Sequence, residues 1–412
     1  MRKLLYIDSS FTLSQIRARG LEHVLKVRFL DEYFDRVWSA HPVDTHPLSD
    51  PDIASVGAPV FERLGEDHVF VRGRHGRFSA LASIAPLNAI LALVSFVRAL
   101  ITLVRREKIT VIRAGDPLLC GLIGLIVARR TGSKLVVRIN GDHDMIRANT
   151  GTPIMPSLFR IVAIEALIER MVLSRADWVF APSDNYSDFA VRKGTPPSRV
   201  SLIRYGNLID TRHLSDPAKR DNIEAANMRE TLDARPWMVY LGRLQKLKHA
   251  EDCYEVLRLI ALKDCDAGLL MIGDGPLREA IARRAEADGL SERLLFLGNI
   301  EQEAIARILP RCRLALSPLT GRALAEVAFA ALPIVAYDLD WQGELVETDV
   351  TGVLVPAGDI KAMAEAAERL LADSVLRDKL GAEARQRAFD LLEPQEQTRR
   401  EIEAYASLGV LP

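Results

Sequence analysis

Two cations stand where a strand gives way to a helix. The run Val239–Leu241 reads as a buried strand, Gly242-Arg243-Leu244 follows it, and Lys248 comes five residues after Arg243. Side chains at a strand end and the next helix start can converge on one anion, the guanidinium as a bidentate fork and the ammonium as a point charge. A departing diphosphate is such an anion: fixed cations stabilise the charge that grows on it, with no metal required. A salt-bridged helix start would use the same residue types. Downstream, Gly273-Asp274-Gly275-Pro276 closes a second strand. Its glycines allow close backbone approach to a ligand, or simply a strand-to-helix turn with proline at the first helical position. Gly298-Asn299-Ile300 makes a similar turn after a third strand. Glu326 lies among Ala323, Leu324, Ala325, Val327 and Ala328. A carboxylate in that company is there for a partner, and a pair of ribose hydroxyls would suit it.

The first half of the chain has its own constellation, Asn140-Gly141-Asp142-His143-Asp144, after the strand candidate 134–139. His143 can hydrogen-bond a polyol with Asp142 or Asp144 orienting its ring, while Asn-Gly and Asp are equally good loop formers. Asp116, after the strand candidate 110–113, is a further residue for an acceptor side. No Ser–His–Asp arrangement stands out, no His, Asp and Glu share metal-ligand spacing, and no GxGxxG opens a strand–helix unit. The four cysteines (Cys120, Cys253, Cys265, Cys312) form no CxxC pair and read as reduced thiols.

The elements that must hold these residues alternate short apolar runs with helical patterns, which is parallel α/β architecture. Strands are expected at 4–7, 110–113, 134–139 and 178–181, with helices at about 12–26, 85–106, 117–131 and 157–175. The pattern restarts with strands at 238–241, 269–272, 294–297, 313–316 and 333–336 and helices at about 248–261, 276–287, 302–309, 324–331 and 360–372. Two series predict two Rossmann-like doubly wound domains, 1–205 and 206–390, facing a cleft. A final helix within 391–412, rich in Glu and Arg with little to bury, is expected to cross back to the first domain. Ligands of open parallel sheets bind beyond the carboxyl ends of the strands, so the cleft is the expected site.

The chain has 412 residues with 49% hydrophobic and 26% charged, which excludes a largely disordered chain. Its net charge of −1 hides a split: residues 1–205 carry 28 Lys+Arg against 20 Asp+Glu, and the remainder 26 against 35. Such asymmetry suggests different partners for the two halves, with no nucleic acid expected. Residues 85–104 are long and apolar enough to raise the question of a membrane span. Asn88, Ser95, Arg98, Thr102 and Arg105 recur at helical steps, which predicts one polar stripe, and a mid-span Arg98 would be costly. The helix is therefore expected to pack on the first sheet or to lie on a membrane surface, aided by Arg105, Arg106 and Lys108. Arg72, Arg74, Arg77, Arg129 and Arg130 add to the basic half. Only four apolar or aromatic residues separate Lys3 from Asp8, too few for a signal-peptide core, so a cytoplasmic protein is expected.

The ordered series Gly242-Arg243, Lys248, Gly273-Asp274-Gly275-Pro276, Phe296-Leu297-Gly298-Asn299, Glu326, Leu332-Pro333-Ile334-Val335, Glu344 and Thr351-Gly352 with Pro356 and Asp359 resembles the retaining glycosyltransferases of the large GT4 family, which have the GT-B fold. The resemblance covers about 236–360 and is weaker over the first domain. It implies a UDP- or GDP-linked sugar as donor, no cofactor and no metal. Arg243 and Lys248 would hold the diphosphate, and Gly242, Gly273, Asp274, Gly275, Asn299 and Ile300 would line the nucleotide. Glu326 would take the ribose, and His143 would stand near the transferred sugar, with Asn140, Gly141, Asp142 and Asp116 on the acceptor side. The chain departs from the family where a second Glu precedes Glu326: position 318 is Pro318, and the shortened stretch puts Thr320 near the expected site, followed by Gly321 and Arg322. His249 replaces a usual glycine, and Asp340-Trp341 stand where many members have paired glycines. The basic, apolar first half suggests an acceptor glycan or glycolipid and peripheral contact with the inner face of an anionic membrane. A nucleotide-sugar epimerase on the same architecture and a non-catalytic nucleotide-sugar-binding protein are the competing expectations.

Overall fold

The computed structural model describes residues 1–18, 20–45, 58–74, 85–156, 158–220, 226–263 and 265–409; Arg77 lies outside them. The chain divides into two compact units, Met1–Arg204 together with Gln395–Pro412, and Tyr205–Pro394. In the first unit the described strands are β1 (Lys3–Ile7), β2 (Arg36–Thr45), β3 (Val60–Arg63), β4 (His68–Arg74), β5 (Val111–Ala114), β6 (Lys134–Arg138), β7 (Trp178–Ala181) and β8 (Val200–Leu202). They form one sheet in the order β3-β4-β2-β1-β5-β6-β7-β8, parallel except for the β3–β4 pair. The second unit contains β9 (Trp237–Leu241), β10 (Gly268–Ile272), β11 (Leu294–Gly298), β12 (Leu314–Leu316), β13 (Ile334–Tyr337) and β14 (Gly352–Val355), ordered β11-β10-β9-β12-β13-β14.

Both sheets are doubly wound, and each has one point where the strand order reverses: between β1 and β5, and between β9 and β12. Strands buried on both faces explain the continuous apolar runs; every residue of β5, β9, β10, β12 and β13 is buried. Strands β2, β3, β4, β8 and β14 escaped the sequence reading. β2 and β4 interleave polar residues such as Ser39, His68 and Arg72 with apolar ones, so they lack an uninterrupted apolar run.

The apolar helix Ala85–Glu107 packs on the first sheet through Phe96, Leu100, Leu103 and Val104. Its expected polar stripe requires correction. Asn88 is buried, one turn before the buried Ala92 and on the same face, and the exposed line is Ile90, Val94, Arg98, Thr102 and Arg105. The solvent face is thus apolar over its first turns. The expected helix 157–175 is confined to Val162–Leu173, with a separate helix His143–Thr150 before it.

The final helix, Pro394–Ser407, also departs from expectation in what it buries. Tyr405 and Ala404 join Leu4, Phe34, Val111 and Phe180 in a cluster on the face of the first sheet opposite Ala85–Glu107. Beneath them the buried Glu401 pairs with the buried Arg113 of β5. The helix also reaches the chain just before the division, where the Gln397 side chain accepts from the Arg204 amide at 2.8 Å.

Candidate functional site

In the second unit the residues of interest gather at the β9/β12 reversal, where an open parallel sheet leaves a crevice beyond its carboxyl ends. The loop after β9 carries Gly242 and Arg243 and enters a single helical turn, Lys246–Lys248, before helix Ala250–Ala261. His249 joins the two at φ +52°, in the left-handed region, which accounts for a glycine being the common choice there. The loop after β12 brings Ser317 to Arg322. Gly321 has φ +65°, and a Cβ placed on it would lie 3.9 Å from Lys248 Nζ. The lysine ammonium therefore faces the backbone of the shortened loop.

Arg243 is exposed and Lys248 half-buried, and neither side chain has a hydrogen bond or ion pair among the described residues. Burial pushes the Lys248 ammonium below its ordinary value; Asp340 offsets part of this, and the Arg243 charge adds to the depression. Arg322, by contrast, is engaged: its guanidinium approaches Glu326 at 3.6 Å and donates to the Leu208 carbonyl at 3.4 Å. Glu326 is 4% exposed, in the first turn of helix Ala323–Phe329. Thr320 is 7% exposed, and its hydroxyl has no hydrogen-bond partner among the described residues.

The Gly-Asp-Gly turn has a packing reason of its own. A Cβ on Gly273 would come within 2.0 Å of the Gly242 carbonyl, and one on Gly275 within 2.4 Å of the Leu244 carbonyl. The loops after β9, β10 and β11 are also stitched by backbone bonds, Gly242 to Ile272, Gly273 to Gly298 and Leu244 to Asp274. Asp274 is half of a pair with Arg278 at 3.7 Å. Asn299 is exposed, and Ile300 leans on the core. Gln342 was missed in the sequence: its amide donates to the carbonyls of Ser317 and Pro318, pinning the β12 loop from behind. Its only signal was a polar residue beside Trp341.

In the first unit, Asn140 to Asp144 follow β6 and open helix His143–Thr150. Asp142 caps that helix, accepting from the amides of Asp144 and Met145, and pairs with Arg192 at 2.6 Å. Asp144 is taken by Lys193 at 2.6 Å and Arg147 at 3.3 Å. Neither orients His143. That ring, 2% exposed, is held at Nδ1 by Glu169, and its Nε2 lies 3.1 Å from the side-chain oxygen of the exposed Asn140. Gly141 packs closely on Ile146.

Glu169 and Glu165, both fully buried, bracket Arg147 at 2.9 Å each. Burial alone would raise the Glu169 pKa, but hydrogen bonds from His143 and Arg147 reverse that and hold the carboxyl below its ordinary range. Glu165 also accepts from the amides of Ile154 and Met155, tying down the preceding loop. The signal for this network was present: two glutamates four apart in the segment 162–173, whose other residues are apolar except Arg170. Asp116 is buried with its carboxylate accepting from the amides of Leu118 and Cys120 and from Ser9, and burial raises its pKa.

Two family models match the chain: a glycosyl transferase 4-like domain over residues 14–206 and glycosyl transferases group 1 over residues 224–387. The chain belongs to the glycosyltransferases of group 1 type. Among relatives of this group 1 glycosyltransferase, alpha-D-kanosaminyltransferase of Streptomyces kanamyceticus is 29% identical over 270 residues, 63% of this chain and 67% of that protein. Phosphatidyl-myo-inositol mannosyltransferase of Mycobacterium leprae is 34% identical over 152 residues, 35% of this chain and 40% of that protein. Among solved structures, Anabaena HepE in complex with UDP superimposes with a TM-score of 0.70 at 17% identity, over 98% of this chain and 100% of that one. The group 1 glycosyltransferase thus has the two parallel-sheet domains of the GT-B fold.

Proposed function

We propose that this glycosyltransferase moves a sugar from a UDP- or GDP-linked donor to a glycan or glycolipid acceptor, with retention of configuration. The observation that carries this is the pair Arg243 and Lys248, two cations with no hydrogen-bond or ion-pair partner among the described residues, at the strand-order reversal of the second sheet. They face a diphosphate, and as the sugar–phosphate bond breaks they stabilise the charge left on the phosphate, which takes the acceptor hydroxyl's proton. No metal or cofactor enters this scheme. Glu326 binds the ribose, and the backbone around Gly242, Gly273, Gly275, Asn299 and Ile300 receives the nucleotide. Thr320 and Gly321 meet the donor sugar. In the first unit Asn140 is the exposed member and His143 acts behind it. The acceptor class is supported by a relative named for phosphatidyl-myo-inositol and by the basic first half of the sequence. In this reading the reaction runs in the cytoplasm, with helix Ala85–Glu107 meeting the inner face of the membrane.

Nucleotide release from a panel of UDP- and GDP-sugars, with and without glycan and glycolipid acceptors, tests this reading. Acceptor-dependent release supports transfer. Isomerised sugar nucleotide without acceptor would indicate an epimerase, and binding without turnover a non-catalytic protein.

A further inference from the structure

Three helices cover one face of the first sheet side by side: Ala85–Glu107, Leu119–Thr131 and Val162–Leu173, the middle one packed on both others. Their outer surface has an unusual composition. Ile90 (57% exposed) and Val94 rise from the first helix and Ile126 from the second; Ile161 (56%), Ile164 and Leu167 (67%) rise from the third. Scattered exposed aliphatics are ordinary, but this many on one helical layer is a patch. The same three helices expose Arg98, Arg105 and Arg106, then Arg129 and Arg130, then Arg170. None of their carboxylates is exposed. Glu165 and Glu169 are fully buried on Arg147, and Glu107 is half-buried between Arg106 and Arg36. The surface ends where the next helix, Asp184–Arg192, presents Asp184 and Asp188 to solvent.

We infer that this three-helix surface docks on an anionic lipid bilayer. The aliphatic side chains enter the interface while the guanidiniums, whose stems lie along the same surface, meet phosphate headgroups. A second copy of the chain fits poorly, because a two-fold contact would set arginine against arginine with no exposed carboxylate from these helices to answer it. The docking also has a direction. Each helix returns antiparallel to the strands, so its N-terminal end lies at the edge where the strands finish. Ile90, Val94, Ile161 and Ile164 therefore sit on the edge that carries the loops of Asp116 and Asn140. A headgroup at the bilayer surface would be presented to that edge. The inference rests on the membrane contact proposed above, widening it from one helix to three, and holds whatever donor or acceptor is used.

The test is co-sedimentation of the full chain with vesicles of phosphatidylcholine alone or mixed with phosphatidylglycerol, at low and high salt, with no donor present. Binding to the mixed vesicles that weakens with salt is expected, with little binding to phosphatidylcholine alone. Ile161→Glu with Leu167→Glu should reduce vesicle affinity about tenfold or more. Arg129→Glu with Arg130→Glu should do the same and flatten the salt dependence. Val375→Glu, at an exposed position of the second unit, should leave binding unchanged. Because these side chains are exposed, the thermal melts of all variants should match the parent. The inference is overturned if the parent stays in the supernatant with mixed vesicles at low salt, if either double variant binds like the parent, or if the patch variants abolish self-association instead of vesicle binding. Failure here would remove the membrane contact alone; nucleotide release on a soluble acceptor is unaffected, so the sugar-transfer reading and the docking reading fail separately.

Discussion

Lys248 shows how one side chain can be read from both sides of an ionisation. Its ammonium is stripped of water by burial and crowded by Arg243, so against these neighbours alone it gives up its proton below the ordinary lysine value of 10.5. A bound diphosphate would reverse the balance by supplying charge of the opposite sign. Protonated Lys248 is the binding form, so UDP or GDP affinity should weaken as pH rises through its depressed pKa, at lower pH than for an ordinary lysine. Calorimetric titration of the nucleotide from neutral to alkaline pH should show this, and Lys248→Arg should flatten the profile because guanidinium does not titrate there. Lys248→Ala should lower kcat by about a hundredfold or more, the scale of losing one preorganised charge at a leaving group. An unchanged kcat, with the thermal melt also unchanged, would remove Lys248 from the mechanism.

At the scale of elements, what the sequence showed and what it hid follow from the range of each interaction. Arg243, Lys248 and the Gly-Asp-Gly turn are short-range patterns at strand ends, so they were legible. The clamp on His143 was not, because Glu169 lies 26 residues away along the chain and meets the ring, and Arg147 beside it, only when helix Val162–Leu173 is seated. Asp142 and Asp144 looked like the ring's partners because they flank it, yet the helix start consumes the first and Lys193 the second. The sheet order that creates the crevice is likewise long-range. The clamp makes a prediction of its own. Glu169 has a depressed pKa in the folded chain, so the folded state binds fewer protons; its stabilisation is complete above the ordinary value of 4.5 and fades as pH falls through the lower folded value. Glu169→Gln should therefore cost about 3–5 kcal/mol near neutral pH, where it leaves Arg147 and His143 short of a buried charge. The difference from the parent should shrink in acid. Chemical denaturation at neutral and acid pH would check it; an equal difference at both would mean that shape, not charge, carries the effect.

For the whole molecule, the charge split takes on structural detail. The basic excess of the first half is displayed in part on its helical layer, whereas the acidic second half keeps Arg243 and Lys248, without partners among the described residues, at one strand-order reversal. The tail complicates any division at one point in the sequence, since Gln395–Pro412 is built into the first unit. Its glutamates and arginines looked like a solvated helix because Tyr405 and Glu401 are single residues whose partners, Phe34, Phe180 and Arg113, are hundreds of residues distant. A protein cut after Pro394 should therefore lose more than a tail: it exposes a sheet face and leaves Arg113 charged, buried and unpaired. Tyr405→Ala is the milder probe. Deleting a fully buried aromatic should cost about 3–5 kcal/mol. Hydrogen exchange followed by peptide should then show faster exchange in β1, β5 and β7, with β9, β10 and β12 unchanged. Faster exchange throughout both units would mean that they unfold together, and unchanged exchange in β1, β5 and β7 would deny the helix its place in the first core.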